Sequence, residues 1–184
     1  KESTEPKVKE LDVISKNYDQ VQAHAKFLKD KVFFLGSDLG LSSRYSQLME
    51  SLIVASGGRV SDNLSEARYY VGKYRDGDQY TTASNNGYYV GNIHWIFWMI
   101  EYQKWSSPFD KLLHYPFVRG GLPEMRDFVV SSTNYSGDAR YYIMKLVEAL
   151  GARFTPSLTQ ENTHLIAATS KGKKYTYSLK WNIK

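Results

Sequence analysis

The 184-residue sequence contains no cysteine. Disulfides, thiolate metal centres and cysteine nucleophiles are excluded by inventory, and a reducing compartment suits such a chain. No apolar run approaches the roughly 20 residues that span a bilayer, and the opening KESTEPKVKE is charged where a signal peptide needs an apolar core. The expectation is a soluble, intracellular protein. His24, His94, His114 and His164 are scattered, with no acidic or histidine neighbour at ligand spacing, so neither a metal nor any other cofactor is expected. Also absent are a G-x-x-x-x-G-K-[ST] loop, a G-x-G-x-x-G turn after a strand and a nucleophile elbow. With no catalytic set to assemble, the reading is of a non-enzyme.

The residues that are present describe a folded chain. Hydrophobic residues make up 42%, aromatic residues 15% and charged residues 23%, enough apolar surface to offset the ordering of the backbone. The length suits one large core or two small ones of roughly 90 residues. A net charge of +5 permits attraction to acidic peptides or nucleic acid, but it is too diffuse to choose between them.

Residues 1–25 mix Lys, Glu, Asp and Gln with few large apolar groups and read as a flank or linker, with a helix allowed from Val13 to Phe27. Lys31-Val32-Phe33-Phe34-Leu35 is then an almost wholly apolar run, as a strand buried on both faces of a parallel sheet requires. Tyr45, Leu48, Met49, Leu52 and Ile53 fall at helical spacing up to the Gly57-Gly58 stop. Short strands follow at Gly58 to Val60, Ala67 to Gly72 and, after a helix-length polar gap, Tyr88 to Val90. An apolar helix from Ile93 to Trp105 closes the unit. The order is β-α-β-β-α-β-α, an α/β fold. Residues 26–107 form this unit, and residues 108–124 form a linker whose side chains suit burial.

From residue 125 the pattern restarts, with a strand at Phe128 to Ser132 and a helix at Ala139 to Leu150. Leu52 to Ser61 aligns without a gap on Leu146 to Thr155, and Gly77 to Thr81 on Gly172 to Thr176. A period of about 95 residues means domain duplication, since solenoid repeats are shorter. The second copy, residues 125–184, stops before a last strand and closing helix.

Several local features together resemble the BRCT family: Thr133-Asn134-Tyr135, Gly137 and Arg140, Leu146 to Ala152, Asn162-Thr163-His164-Leu165-Ile166, and Gly172-Lys173-Lys174-Tyr175. The first copy matches more loosely, keeping Gly57-Gly58 and Trp95 but carrying Arg68-Tyr69-Tyr70-Val71 where Thr-His-Leu-Ile is usual. The resemblance implies tandem BRCT repeats, each a four-stranded parallel sheet flanked by three helices. Val90-Gly91-Asn92-Ile93-His94-Trp95, the Leu112 to Pro116 linker and Thr133-Asn134-Tyr135 are similar to the third and fourth repeats of the fungal Rtt/Brc-type branch, related to animal PTIP. That branch implies a nuclear scaffold for DNA repair at replication forks. Its implied partners are a nuclease scaffold, a cullin ligase adaptor and SMC complex subunits.

The resemblance also implies a site. Some BRCT repeats bind phosphoserine or phosphothreonine through a hydroxyl and a backbone N–H after the first strand and cations from two helices, an arrangement suited to a dianion. Thr133, Asn134, Arg140 and Lys174 would fill these roles in the second copy. Asn134 stands where glycine is usual, and its side chain could crowd the anion. The bland alternative makes Thr133 a helix-capping turn residue and Arg140 a solvated charge. In the first copy Ser37 and Arg44 repeat the spacing of Thr133 and Arg140, but Gln79 replaces Lys174 beside Asp78, so that pocket is expected to be dead.

The resemblance also implies an alternative mode that grips unphosphorylated motifs, for which an aromatic groove near the linker is expected, with Trp105 and Tyr115 as candidate lining and Trp95 and Trp98 expected in the core. A rival class is a DNA-binding module, because Lys171, Lys173, Lys174 and Lys180 cluster around Tyr175 and Tyr177.

Overall fold

A computed structural model describes residues 26–184. The flank 1–25 and all but the end of the Val13 to Phe27 helix lie outside the described residues. The chain divides into two compact units, the first ending at Pro116 and the second starting at Phe117.

Unit 1 runs β1 (Val32–Leu35), α1 (Ser43–Ala55), β2 (Arg59–Val60), β3 (Tyr69–Val71), α2 (Asp78–Asn85), β4 (Tyr89–Gly91) and α3 (Ile93–Tyr102). All four strands are parallel, in the order β2-β1-β3-β4. Parallel strands need covered faces, and the sequence supplies two apolar sides. Phe33, Met49, Leu52, Ile53, Trp95 and Met99 pack on one side, while Phe34, Tyr70, Ala83 and Val90 pack on the other. Gly57 ends α1 at φ 90, and the Gly58 N–H closes back on the Ile53 carbonyl at 2.9 Å, a turn that a β-carbon would strain.

The closing helix is shorter than the apolar run predicts. Gln103 takes a left-handed φ of 50 and donates its N–H to Met99, so the chain turns back before Trp105. The turn places the Trp105 ring 5.2 Å from Tyr69 and 5.7 Å from both Tyr89 and Trp95. Burial of aromatic edges, which the helical spacing could not reveal, decides where α3 stops. Asn92 caps α3 through its side-chain oxygen, accepting from Trp95 N–H. Its Nδ2 donates to the Leu113 and Tyr115 carbonyls at 2.7 and 2.9 Å, and its backbone N–H to His114 at 2.8 Å. One asparagine thus binds residues 113–115 to unit 1.

Unit 2 contains β5 (Val129–Thr133), α4 (Gly137–Ala149), β6 (Arg153–Thr155), β7 (His164–Ala167) and α5 (Lys173–Lys180). The parallel order is β6-β5-β7. On the outer side of β7, Leu165 N–H donates to the Lys184 carbonyl at 2.8 Å and Lys184 N–H to Thr163 at 3.1 Å. This is the rung that Tyr89 makes with Arg68 in unit 1. The buried core is small: Val130, Val147 and Ala152, flanked by Phe128, Ile143 and Phe154.

Candidate functional site

Thr133 ends β5, paired with Ala167 on β7. The next residue, Asn134, adopts φ 63, a left-handed conformation that asparagine tolerates better than most residues. Its side chain does not turn back over the pocket. It crosses to the loop after β7, where Nδ2 donates to Thr169 Oγ1 at 2.7 Å, the Lys171 carbonyl at 2.9 Å and the Thr169 carbonyl at 3.2 Å. The N-cap of α4 is Ser136 rather than Thr133, so capping does not explain Thr133. Among the described residues, neither the Thr133 hydroxyl nor the Asn134 N–H has a recorded hydrogen-bond partner.

Two cations converge beside this turn. Arg140, in the first turn of α4, donates from a guanidinium nitrogen to the Pro156 carbonyl at 3.3 Å and lies over the Phe154 ring at 5.7 Å. Lys174, the second residue of α5, donates to the same carbonyl at 2.6 Å, to the Ser132 carbonyl at 3.0 Å and to Ser131 Oγ at 3.1 Å. Burial, and next the Arg140 guanidinium, pushes the Lys174 ammonium below the ordinary lysine pKa. Among the described residues neither cation pairs with a carboxylate. Like charges drawn to one neutral carbonyl lack a compensating anion, and a phosphate would supply it with short, charge-assisted hydrogen bonds.

Unit 1 arranges the same elements differently. The sheet registers pair Val32 with Arg59 and Val129 with Arg153, so Gly36 corresponds to Thr133 and Ser37 to Asn134. The helices match end to end, Ala55 with Ala149, so Arg44 corresponds to Asp138 and Ser46 to Arg140. The turn in between is longer in unit 1, residues 37–42 against 134–136. The shared spacing of Ser37–Arg44 and Thr133–Arg140 is therefore coincidental, a correction that only the two registers together provide. Gln79 Oε1 accepts from the Ser37 N–H at 2.9 Å and from Ser37 Oγ at 3.0 Å. The donors an anion would use are filled by a side chain of the same unit. Asp38 adds a carboxylate there, accepting from the Lys73 and Tyr74 N–H groups at 2.8 Å each.

Family models for a BRCT domain and a twin BRCT domain match residues 23–100 and 128–184 respectively. The chain belongs to the BRCT family. Among curated relatives, BRCT-containing protein 1 of Schizosaccharomyces pombe is 34% identical over 156 residues, 85% of this chain and 18% of that protein. Regulator of Ty1 transposition protein 107 of Saccharomyces cerevisiae is 43% identical over 96 residues, 52% of this chain and 9% of that protein. This chain therefore spans only a small part of either relative. Two crystal structures of yeast Rtt107, one with Mms22 and one with Slx4, both superpose with a TM-score of 0.78. Identities are 30% and 29%, covering 86% and 92% of this chain and 37% and 39% of those chains.

Within this BRCT pair, the candidate groove residues sit in unit 1. Trp105 is half-buried in the Tyr69, Tyr89 and Trp95 cluster, with the Lys31 ammonium 4.6 Å from its ring. Tyr115 lies under Arg75 at 4.7 Å and 5.7 Å from Phe109, a ring that is 61% exposed. Burial, then the Tyr80 hydroxyl, pushes the Tyr115 phenol up to about 12. Trp95 is fully buried and donates to the Ser106 carbonyl at 2.9 Å. Trp98 is only partly buried, stacked on Tyr102 at 4.7 Å. Sequence reasoning missed the Pro156 carbonyl, a backbone group with no residue-type signature. It also missed the crossing Asn134 side chain, for which an Asx residue directly after a first strand is the available signal.

Proposed function

We propose that this chain is a non-enzymatic segment of a nuclear DNA-damage-response scaffold, holding short motifs of partner proteins, with unit 2 receiving a phosphorylated residue. One observation carries the reading. Arg140 and Lys174 converge on the Pro156 carbonyl, beside the Thr133 hydroxyl and Asn134 N–H, which have no partner among the described residues. Membership of a family of interaction modules, and a fold shared with Rtt107 crystallised with Mms22 and Slx4, support a partner-binding role. A nuclease scaffold, a cullin ligase adaptor and SMC complex subunits are the partners proposed. As a separate mode, an unphosphorylated motif would seat on the Trp105, Phe109 and Tyr115 face of unit 1, where Phe109 offers an exposed aromatic ring.

Titration calorimetry with paired phosphorylated and unphosphorylated partner peptides tests this. The phosphorylated member should bind more tightly, and Lys174→Glu should erase the difference. Equal affinity of the two peptides for the parent chain would refute the phosphate assignment. The second reading, a DNA-backbone contact, draws on the exposed Lys171 and Lys173 at the start of α5 and the exposed Lys180 at its end. It requires duplex binding that falls steeply with salt and ignores sequence.

A further inference from the structure

We propose that the Asn134 side chain is the positioning strut of the unit 2 anion pocket, locking its two halves into one rigid frame and keeping that frame free of negative charge. The proposal rests on the pocket reading above and assigns a role to the residue that departs from the usual glycine. A pocket built from two loops and two helix starts binds a small anion tightly only when its donors are already in place, because ordering them on binding costs affinity. The Thr133 hydroxyl and Asn134 N–H come from the turn after β5, whereas Lys174 comes from the start of α5, which the loop after β7 leads into. Asn134 Nδ2 joins these two segments through the Thr169 and Lys171 carbonyls and Thr169 Oγ1.

The link is short. Lys171 is followed by Gly172, the N-cap of α5 at φ 96, and Lys174 lies two residues further on. A β-carbon built on Gly172 would meet Asn134 Oδ1 at 3.6 Å, so the amide oxygen faces the helix start with room for no more than a methyl group between them. The amide thus ties the turn that offers a donor to the loop that leads directly into the helix offering the ammonium.

Unit 1 shows that the same crossing can be made with the opposite polarity. There the side chain from the first turn is Asp38, and it accepts from the Lys73 and Tyr74 N–H groups after β3. A carboxylate braces those loops but brings a negative charge to the place where an anion would sit. An asparagine braces the corresponding loops as a neutral donor. Polarity of the strut therefore separates the unit that can admit a dianion from the one that is filled by Gln79.

The test uses the full 184-residue chain and inorganic phosphate, followed by proton–nitrogen correlation spectra, with thermal midpoints recorded in parallel. In the parent, phosphate should shift the Asn134 backbone amide, and Lys174→Met should remove that response. Asn134→Gly preserves the left-handed backbone and its N–H but deletes the strut; phosphate affinity should drop by about tenfold. Thr169→Val removes one of three acceptors and should weaken binding by about threefold. Asn134→Asp should bind no detectable phosphate. If Asn134→Gly lowers the thermal midpoint and still binds phosphate as tightly as the parent, the side chain is merely structural and the proposal falls while the pocket stands. If the parent shows no phosphate-dependent shift, the pocket itself is wrong and the strut falls with it.

Discussion

The first turn of unit 1 and the first turn of unit 2 begin from related strands and lead into helices of equal length, yet one is closed on itself and the other is open. In unit 1 a neutral glutamine from α2 fills the Ser37 donors, and the Asp38 carboxylate lies alongside. In unit 2 the residue corresponding to Gln79 is Lys174, and it meets Arg140 over a carbonyl. One exchange at the second position of a short helix converts an internal hydrogen-bond acceptor into a cation held by neutral oxygens, with no carboxylate paired to it among the described residues. Duplicated folds keep their packing and diverge in such polar details, because changing a turn residue leaves the core untouched.

The units differ in the opposite sense in their cores. Unit 1 buries Trp95, Ile96 and Met99 of its closing helix completely, whereas the buried hydrophobic residues of unit 2 are the small Val130, Val147 and Ala152. Trp95→Ala should accordingly cost about 3–5 kcal/mol, while Val147→Ala should cost about 1–2 kcal/mol. Urea denaturation of both variants checks this, and equal losses would show that the two cores carry equal weight.

The next largest effect concerns the open turn. Lys174→Glu should weaken binding of a phosphorylated peptide by about a hundredfold or more, roughly 3 kcal/mol, and leave its unphosphorylated twin unchanged. Calorimetric titration of both peptides separates loss of the pocket from loss of the fold.

An acid-side pH dependence should mark unit 1 through His114. His114 is buried against Trp98, and burial, then Lys111 and His94, lowers its pKa to about 4, with Asp110 opposing. The unfolded chain takes up a proton near 6.5, before the folded chain does. Stability from neutral His114 is therefore complete above about pH 6.5 and declines as pH falls toward 4. Between pH 7 and pH 5 the loss should reach about 2 kcal/mol, and His114→Phe should flatten it. Thermal melts across that range provide the measurement; an unchanged slope in the variant would assign the acid sensitivity elsewhere.

The smallest effect is the most direct attack on the comparison. Gln79→Lys copies the Lys174 cation into unit 1, but Arg44 does not occupy the place of Arg140 and Asp38 remains. Phosphate binding at the Ser37 amide should stay undetectable in correlation spectra, and stability should fall by about 1 kcal/mol as Ser37 loses its acceptor. Phosphate binding by that variant would mean that one side chain alone separates the two turns.

Much of this molecule was legible before any coordinate. Phe33 and Phe34 in a continuous apolar run marked a doubly covered strand, and Leu52 to Ser61 against Leu146 to Thr155 exposed the duplication. Thr133, Arg140 and Lys174 could be nominated because the BRCT resemblance implies a hydroxyl and two cations at those places, and the side chains there have that chemistry. The end of α3 was not legible, since Trp105 keeps helical spacing while its ring is wanted on the sheet. Nor was the false match of Ser37 and Arg44, because the inserted residues of the longer turn leave a plausible spacing intact.

By itself the sequence determined the element types, the repeat and the residue kinds available for an anion, since these follow from local periodicity and side-chain chemistry. Only the tertiary structure decided that Lys174 and Arg140 share one carbonyl, that Asn134 reaches across to Thr169 and Lys171, and that Gln79 closes the other turn. Those facts depend on strand register and on backbone carbonyls brought together from distant segments, and backbone groups are the same at every position of a sequence.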